Sequence, residues 1–398
     1  MSVPKEYDVV IAGGAMAGAT LAMALDSSTN HALKIAVVEP YAQGNAAHPG
    51  FDARSIALSY GSVELLKRYD LWCLIEDHAT PITHIHVSDR GHAGMTDFHA
   101  DKEGLDAMGY VVELAEVGQR FSDELATRSH IDLFCPNAVT HLVQQQDKVV
   151  LDLTSDEGDQ QLHAKLVVAA DGADSAICQA VGLGQEIRDF NQVAVIANVL
   201  TSEAPNGRAF ERFTEHGPLA LLPMSQSRSS LVWCLPPEEA ADVQSLSDSS
   251  FLEKLQQAFG WRLGRFTRVG SVVSYPLLLK HRPQIVSHRV AAVGNAAQTL
   301  HPIAGQGFNL GIRDIATLVD SLLENLKDVG EYANLTRFQA QRQSDRELTI
   351  TMTSGLVHVF SNDLLTLRVA RNLGLAMMDN FPRLKTPVFN RALGVVKR

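Results

Sequence analysis

Cysteine is scarce: Cys73, Cys135, Cys178 and Cys234 are the only four in 398 residues. They form no C-x-x-C pair and no metal-ligand spacing, which fits a reducing cytosol with the thiols packed as small apolar groups. A basic excess is missing too. With 34 Lys and Arg against 45 Asp and Glu the formal charge is -11, a sign that repels phosphate backbones and argues against general nucleic-acid binding. No apolar run approaches the roughly 18 residues that span a bilayer. Met1–Glu6 lacks the basic-then-apolar pattern of a signal peptide. These absences predict a cytoplasmic protein and leave peripheral contact at the inner face of a membrane open. Repeats and low-complexity segments are absent as well.

What is there is an ordinary globular composition, 45% hydrophobic and 20% charged, on a chain long enough for two packed domains. Tyr7 to Ala12 is a Val- and Ile-rich strand, followed by two glycines, a helix from Met16 to Leu25 and a strand from Lys34 to Glu39. This is the opening βαβ unit of a dinucleotide fold. Strand-like alternation lies between Ile82 and Ala100, a helix over Val117 to Thr127, and strands over Ala138 to Leu153 and Gln161 to Ala170. From Gln192 to Tyr275 the pattern is mostly strand, with one helix near Ser249 to Phe259, and helical periodicity dominates after Asn309.

Three segments carry chemistry. In Gly13-Gly14-Ala15-Met16-Ala17-Gly18 a strand runs into a helix whose first N–H groups and partial positive charge suit a pyrophosphate. Ala15 stands where the usual fingerprint has its second glycine, so its methyl is expected to shift or weaken the phosphate contact. Glu39, about 20 residues on, is placed to accept ribose hydroxyls of an adenosine. The second segment is Val167 to Ser175, a buried strand, then Asp171-Gly172 and a helix start that Asp174 or Ser175 can cap. The third is Val290 to Gln298 with Gly294-Asn295, followed by His301-Pro302-Ile303-Ala304-Gly305-Gln306-Gly307-Phe308-Asn309, a second glycine-rich helix start. One such turn can be structural, but three in this order fit one extended polar ligand.

With these segments the chain resembles the class A flavoprotein aromatic hydroxylases, which carry a GxGxxG turn, a DG motif and a GD motif. The resemblance extends over essentially the whole chain. Asp52-Ala53-Arg54-Ser55-Ile56-Ala57-Leu58, Phe210-Glu211-Arg212-Phe213 and Gly217-Pro218-Leu219-Ala220-Leu221-Leu222-Pro223 are similar to the ubiquinone-biosynthesis branch. Asn295 stands where relatives usually have Asp, and Cys178 where many have Arg; an Asn amide still hydrogen-bonds a ribityl hydroxyl but adds no charge.

The resemblance implies a mixed α/β (α+β) architecture of the p-hydroxybenzoate hydroxylase kind: a Rossmann-like FAD-binding domain, an inserted β-sheet substrate domain and a helical C-terminus. Residues 1–80, 110–185 and 285–330 would form the FAD-binding domain, 81–109 and 186–284 the substrate domain, and 331–398 the helical region. It implies noncovalent FAD held by Gly13, Gly14, Ala15, Met16, Ala17, Gly18, Glu39, Arg54, Asp171, Gly172, Gly294, Asn295, Gly305, Gln306, Gly307, Phe308 and Asn309. NAD(P)H would bind transiently as reductant, and O2 would react through a flavin C4a-hydroperoxide. The substrate implied is a polyprenylated phenol, 2-polyprenyl-6-methoxyphenol; the alternatives are another ring position of the same pathway, or a flavin-binding scaffold among other ubiquinone-biosynthesis enzymes. A pyridine-nucleotide disulfide reductase would need a redox cysteine pair and a second fingerprint, and neither is there.

Arg54, His301 and Pro302 are the candidate catalytic residues, with Arg54 beside the flavin. A surface ion pair for Arg54 and a backbone-satisfying role for His301 are the plain alternatives. A base favouring the phenolate would help catalysis, and the sequence does not single one out. His84, His86 and His92 lack a completing ligand set, so no metal is expected. Trp233 and Tyr275 read as core aromatics. From Ser361 to Arg398 the basic residues Arg368, Arg371, Arg383, Lys385, Arg391, Lys397 and Arg398 face only Asp363 and Asp379, with apolar Leu364, Leu365, Leu367, Leu373, Leu375, Met377 and Met378 at roughly helical spacing. Such a tail covers a core or docks on lipid or a partner.

Overall fold

The computed structural model describes residues 4–42, 54–92, 94–156, 158–302, 305–360 and 365–395. Asp52, Ala53, Ile303, Ala304, Asp363, Leu364, Lys397 and Arg398 lie outside the described residues.

An eight-stranded sheet has a parallel centre made of Val290–Ala292, Gln160–Ala169, Lys5–Ala12, Ile35–Val38 and Ile131–Phe134, in that spatial order. The order reverses beside the first strand of the chain: its helix crosses to one neighbour, and the other neighbour comes from far along the sequence. Ligands bind at the carboxyl ends of the strands at such a switch point. Registration there is level, since Ala12 pairs with Val38 and Ala169, and Ala169 with Ala292. Whatever follows these four residues emerges along one edge. These strands are buried on both faces, hence their unbroken Val, Ile and Ala runs. The Met16–Ser28 helix is enclosed almost all round, with Met16 and then Gly18 to Asp26 buried. Its Ala, Gly and Leu content suits that enclosure.

A nine-stranded sheet draws on His84–Asp89, Met95–His99 and seven strands between Glu186 and Thr299. One face packs under Pro237–Ser245 and Asp248–Phe259, through Phe210, Leu219, Leu221, Leu231 and Trp233 against Val243, Phe251, Leu255 and Phe259. The other face turns toward the first sheet's side of the molecule. There Ala209, Leu222, Ile85 and Met224 cluster with Ala57 and Tyr60, and with Phe389 and Leu393 of the C-terminus.

A third sheet of three short strands, Ser55–Ser59, Gly109–Glu113 and Thr80–Ile82, lies between the two, and the sequence pattern did not reveal it. Pro237–Ser245 is a helix where strand was expected; only Ala240 and Val243 of it are buried, too little apolar periodicity to read. The helix expected from Val117 begins at Leu114. Past Asn309 helix dominates as expected, in Gln306–Leu323, Tyr332–Phe360, Leu365–Asn380 and Pro382–Ala392.

Candidate active site

Gly13 sits where the central strand ends, at φ +100°, a conformation that favours glycine. Its N–H donates to Val38 O at 2.8 Å, and a Cβ there would lie 2.5 Å from Ala170 O. The first and second segments therefore touch backbone to backbone. A Cβ on Gly18 would stand 1.8 Å from Gly13 O, so the helix meets the turn closely only with glycine there. Ala15 is the N-cap, in ordinary extended backbone (φ -69°, ψ -170°); its methyl strains nothing. No side chain caps this helix and no acidic residue occupies its first turn, which leaves its first N–H groups and positive dipole end for an anion.

Glu39 is buried and its carboxylate accepts from Gly14 N at 2.6 Å and Tyr41 N at 2.9 Å. An ionised carboxylate is an acceptor only, the chemistry that a ribose hydroxyl calls for. Asp171 Oδ2 accepts from Ile177 N at 3.3 Å, while Oδ1 is buried with no hydrogen-bond partner among the described residues. Burial pushes the Asp171 carboxyl above its usual value, against hydrogen bonds from Ser175 and nearby backbone that lower it. Ser175 caps the following short helix by accepting from Cys178 N at 3.0 Å, whereas Asp174 pairs outward with Lys280 at 2.6 Å. Cys178 is fully buried, its thiol pushed up by desolvation.

Gly294 turns at φ +59°, with an added Cβ 3.1 Å from Ala17 Cβ, and a Cβ on Gly311 would lie 3.2 Å from Gly294 Cα. The third segment is thus wedged between the Met16–Ser28 and Gln306–Leu323 helices. Asn295 is exposed at this turn. A buried carboxylate the sequence reading missed fixes the turn: Asp314 accepts from Gly294 N at 3.3 Å, Gln298 Nε2 at 2.6 Å and Arg342 Nε at 2.7 Å. Its signal was a charged pair, Arg313-Asp314, flanked by the apolar Ile312 and Ile315.

The Gln306–Leu323 helix begins at Gly305, φ +60°, again without a side-chain cap. A Cβ on Gly305 would be 3.4 Å from Ala57 Cβ, and none meets anything within 4 Å at Gly307. Gln306, Gly307 and Phe308 are half-buried at this helix start. Asn309 is enclosed, its amide donating to Ala57 O at 2.9 Å and Gly305 O at 2.7 Å and accepting from Ser59 N at 2.8 Å. Its side chain ties the glycine loop to the small sheet. Pro302 closes the loop by accepting from Gly305 N at 2.9 Å. Arg54, at the foot of the same small sheet, lies over the Tyr275 ring at 5.1 Å, so Tyr275 is half core and half platform while Trp233 is fully core. His301 is buried, edge-on to Phe190 at 5.3 Å, and donates from Nε2 to Gln192 Oε1 at 3.1 Å. Desolvation lowers it to about 4, so it is neutral at pH 7.

These residues fit an adenine dinucleotide flavin: glycines crowded against backbone, two uncapped helix starts, a ribose-ready carboxylate and a buried carboxylate oxygen lacking a donor. Comparison with known proteins agrees. Residues 6–351 match the FAD binding domain family. The chain belongs to that family. It is 33% identical to the ubiquinone hydroxylase UbiL of Rhodospirillum rubrum, over 100% of this chain and 91% of the relative. Identity to the 3-demethoxyubiquinol 3-hydroxylase of Escherichia coli is 31%, over 98% of each chain. Identity to human ubiquinone biosynthesis monooxygenase COQ6 is 30%, over 97% of this chain and 92% of the relative. Among solved structures, p-nitrophenol 4-monooxygenase PnpA of Pseudomonas putida superposes with TM-score 0.80 at 18% identity, covering 98% of both chains, and so shares the fold. The family and its full-length hydroxylase relatives make this chain an FAD-dependent aromatic monooxygenase.

Outside this site, His84 and His86 share Asp97 Oδ1 at 2.7 and 2.8 Å, and His84 stacks on His99 at 4.2 Å. In the C-terminal helices Leu375, Phe389 and Leu393 are buried. Arg391 pairs with Asp345 at 3.1 Å, and Lys385 donates to Asp97 O while lying over Phe98. Val369, Leu373, Met377 and Phe381 are exposed. No helix among the described residues is long and apolar enough to cross a membrane.

Proposed function

We propose that this FAD-dependent monooxygenase hydroxylates the ring of a polyprenylated phenol, 2-polyprenyl-6-methoxyphenol, in ubiquinone biosynthesis, consuming one O2 and one NAD(P)H per turnover and releasing water. One observation carries the reading. The face of the nine-stranded sheet that packs on Ala57, itself against Gly305, is apolar apart from a few buried polar groups: Asn198 Oδ1, Ser230 Oγ and Glu211 Oε1 have no partner among the described residues. An apolar wall with sparse polar points suits a substituted phenol, and the full-length relatives are named for ubiquinone.

In this reading residues 1–80, 110–185 and 285–330 form the cofactor domain, 81–109 and 186–284 the substrate domain, and 331–398 a helical cover. Gly13 to Gly18 and Glu39 hold the adenosine diphosphate end, Asp171, Gly172, Gly294 and Asn295 the ribityl chain, and Pro302 with Gly305 to Asn309 the ring. FAD, when bound, supplies electron transfer to oxygen and delivery of one oxygen atom to the substrate ring. The chain's own residues orient the phenol and keep water out. Arg54, held over Tyr275, places a positive charge at the junction of the sheets; His301, neutral and tied to Gln192, is a fixed polar wall and not a proton carrier at pH 7. The exposed apolar residues of the basic C-terminal helices reach toward a bilayer where a polyprenyl tail resides, or toward partner enzymes.

The test is substrate-stimulated NAD(P)H oxidation by the FAD-loaded chain with 2-geranyl-6-methoxyphenol, with 18O2 incorporation read by mass spectrometry. Stimulated oxidation with one labelled oxygen in the ring supports the proposal, and flavin binding without any stimulation supports a scaffold instead. The relatives' names favour a second reading, hydroxylation at another ring position, which the product's proton spectrum separates.

A further inference from the structure

We propose that Glu211 is the base that takes the proton of the phenol hydroxyl, the catalytic group that sequence alone did not single out. The inference rests on the phenol-hydroxylase reading and adds a residue to it.

The position follows from strand alternation. In Arg208–Thr214, Phe210 points to the helix-covered face, edge-on to Phe259 at 5.3 Å. Glu211 therefore points to the opposite face, between Ala209, which packs with Ala57 and Leu222, and Phe213, which packs with Val357 and Leu375. Directly opposite it on the neighbouring strands are Val87 and Ala220, and Ala220 faces Val232, which faces Ile196. A carboxylate is thus set in a row of small and aliphatic side chains.

Oε1 of Glu211 is sealed from solvent and receives no hydrogen bond from any described residue, although part of the residue's surface is accessible. Burial alone pushes its carboxyl up to about 7. The charged neighbour of its own strand, Arg212, lies on the other face by alternation. Among the described residues the titratable group coupled to it is the Cys234 thiol, pushed up by burial and then by Glu211 itself, and so neutral. A buried acceptor without a donor in an apolar wall needs an explanation, and a carboxylate accepts only. The missing partner is a donor, and a phenol O–H is one.

In the proposed step the phenol O–H bond breaks, its electron pair stays on the ring oxygen, and the proton forms an O–H bond on Glu211. Electron density from that oxygen activates the ring position that receives the oxygen atom. The proton returns from Glu211 to the same oxygen as the ring regains aromaticity and its displaced C–H hydrogen leaves as a proton. A base works best when its pKa lies near the operating pH, which is where this environment puts Glu211.

The experiment uses the full chain loaded with FAD, comparing the native protein with Glu211→Gln and Glu211→Asp. The expected Glu211→Gln protein binds FAD within about twofold of native yet loses about 100-fold or more in hydroxylation, the usual scale for a removed base. Its kcat/KM loses the acid limb near pH 7 that the native enzyme shows, and Glu211→Asp restores part of it. Bound 2-geranyl-6-methoxyphenol should show the phenolate ultraviolet band in native protein, at a pH where the free phenol does not, and not in Glu211→Gln. If Glu211→Gln keeps turnover, acid limb and phenolate band, Glu211 is not the base, and the hydroxylase reading stands. If native protein with FAD neither binds nor oxidises the phenol, the substrate reading falls and this proposal with it.

Discussion

Replacing Gly18 by alanine tests whether the first turn is a phosphate cradle built on backbone contact. The added carbon would lie 1.8 Å from Gly13 O and 3.2 Å from Ile11 Cγ2, so reaching an ordinary C···O contact requires a shift of about 1.5 Å between helix and strand. Neither side yields easily, because Gly13 is anchored to Val38 O at 2.8 Å and Ile11 is wholly buried. Overpacking of this kind costs about 1–3 kcal/mol, and the better helix propensity of alanine returns about 1 kcal/mol. The net loss of apo stability is therefore up to about 2 kcal/mol. Binding suffers further, since the same shift moves the uncapped N–H groups away from the pyrophosphate; a tenfold or greater rise in the FAD Kd corresponds to about 1.4 kcal/mol. Flavin fluorescence quenching gives the Kd and calorimetry of the apo protein gives the melt. Gly307→Ala is the control, with nothing within 4 Å of its new carbon, and should melt at or above the native temperature. Native-like melting and FAD affinity in Gly18→Ala would refute the reasoning.

Asp314→Ala should cost about 3 kcal/mol and weaken FAD binding, because it leaves Arg342 with Asp345 alone and strips the acceptor from Gly294 N and Gln298; an unshifted melt contradicts this. Asn295→Asp should retain FAD, whereas Asn295→Leu should bind it more weakly by leaving a cofactor hydroxyl unpaired; equal titrations for the leucine variant would remove Asn295 from the site. Glu211 gives a pH signature: its carboxyl rises from 4.5 to about 7 on folding, so the stability tied to its protonated form is present below pH 4.5 and lost as pH rises through about 7. Apo Glu211→Gln should therefore gain on native protein by roughly 3 kcal/mol between pH 4.5 and pH 8, and melts at the two values that differ equally would count against it. Leu373→Ser with Phe381→Ser, both exposed, should keep FAD and lower co-sedimentation with anionic liposomes at low salt; unchanged sedimentation would assign the tail a purely structural role.

Reading order along the chain was enough to find the glycine turns at the strand ends, because each requirement there is local. A strand must end and a glycine must turn before a helical segment, and Gly13 to Gly18, Asp171-Gly172 and Gly294 state this within a few residues. Family and fold class followed from their order. The small sheet around Ser55–Ser59 and the helix Pro237–Ser245 escaped, since short elements with two or three buried residues leave no measurable periodicity. Asp314 and Glu211 escaped for a different reason. A carboxylate in a helix or strand looks the same in sequence whether it faces water, Arg342 or an apolar wall, and only the packing of distant elements sets its partners and its proton affinity. The sequence by itself determined the FAD-binding family and the strand-turn-helix opening, because the backbone of the Gly13 and Gly18 turn has almost no alternative. The tertiary structure decided which carboxylates are buried and what surrounds them, because Asp314 meets Arg342 and Gly294 from another helix and turn, and Glu211 is enclosed by strands that only the sheet brings beside it.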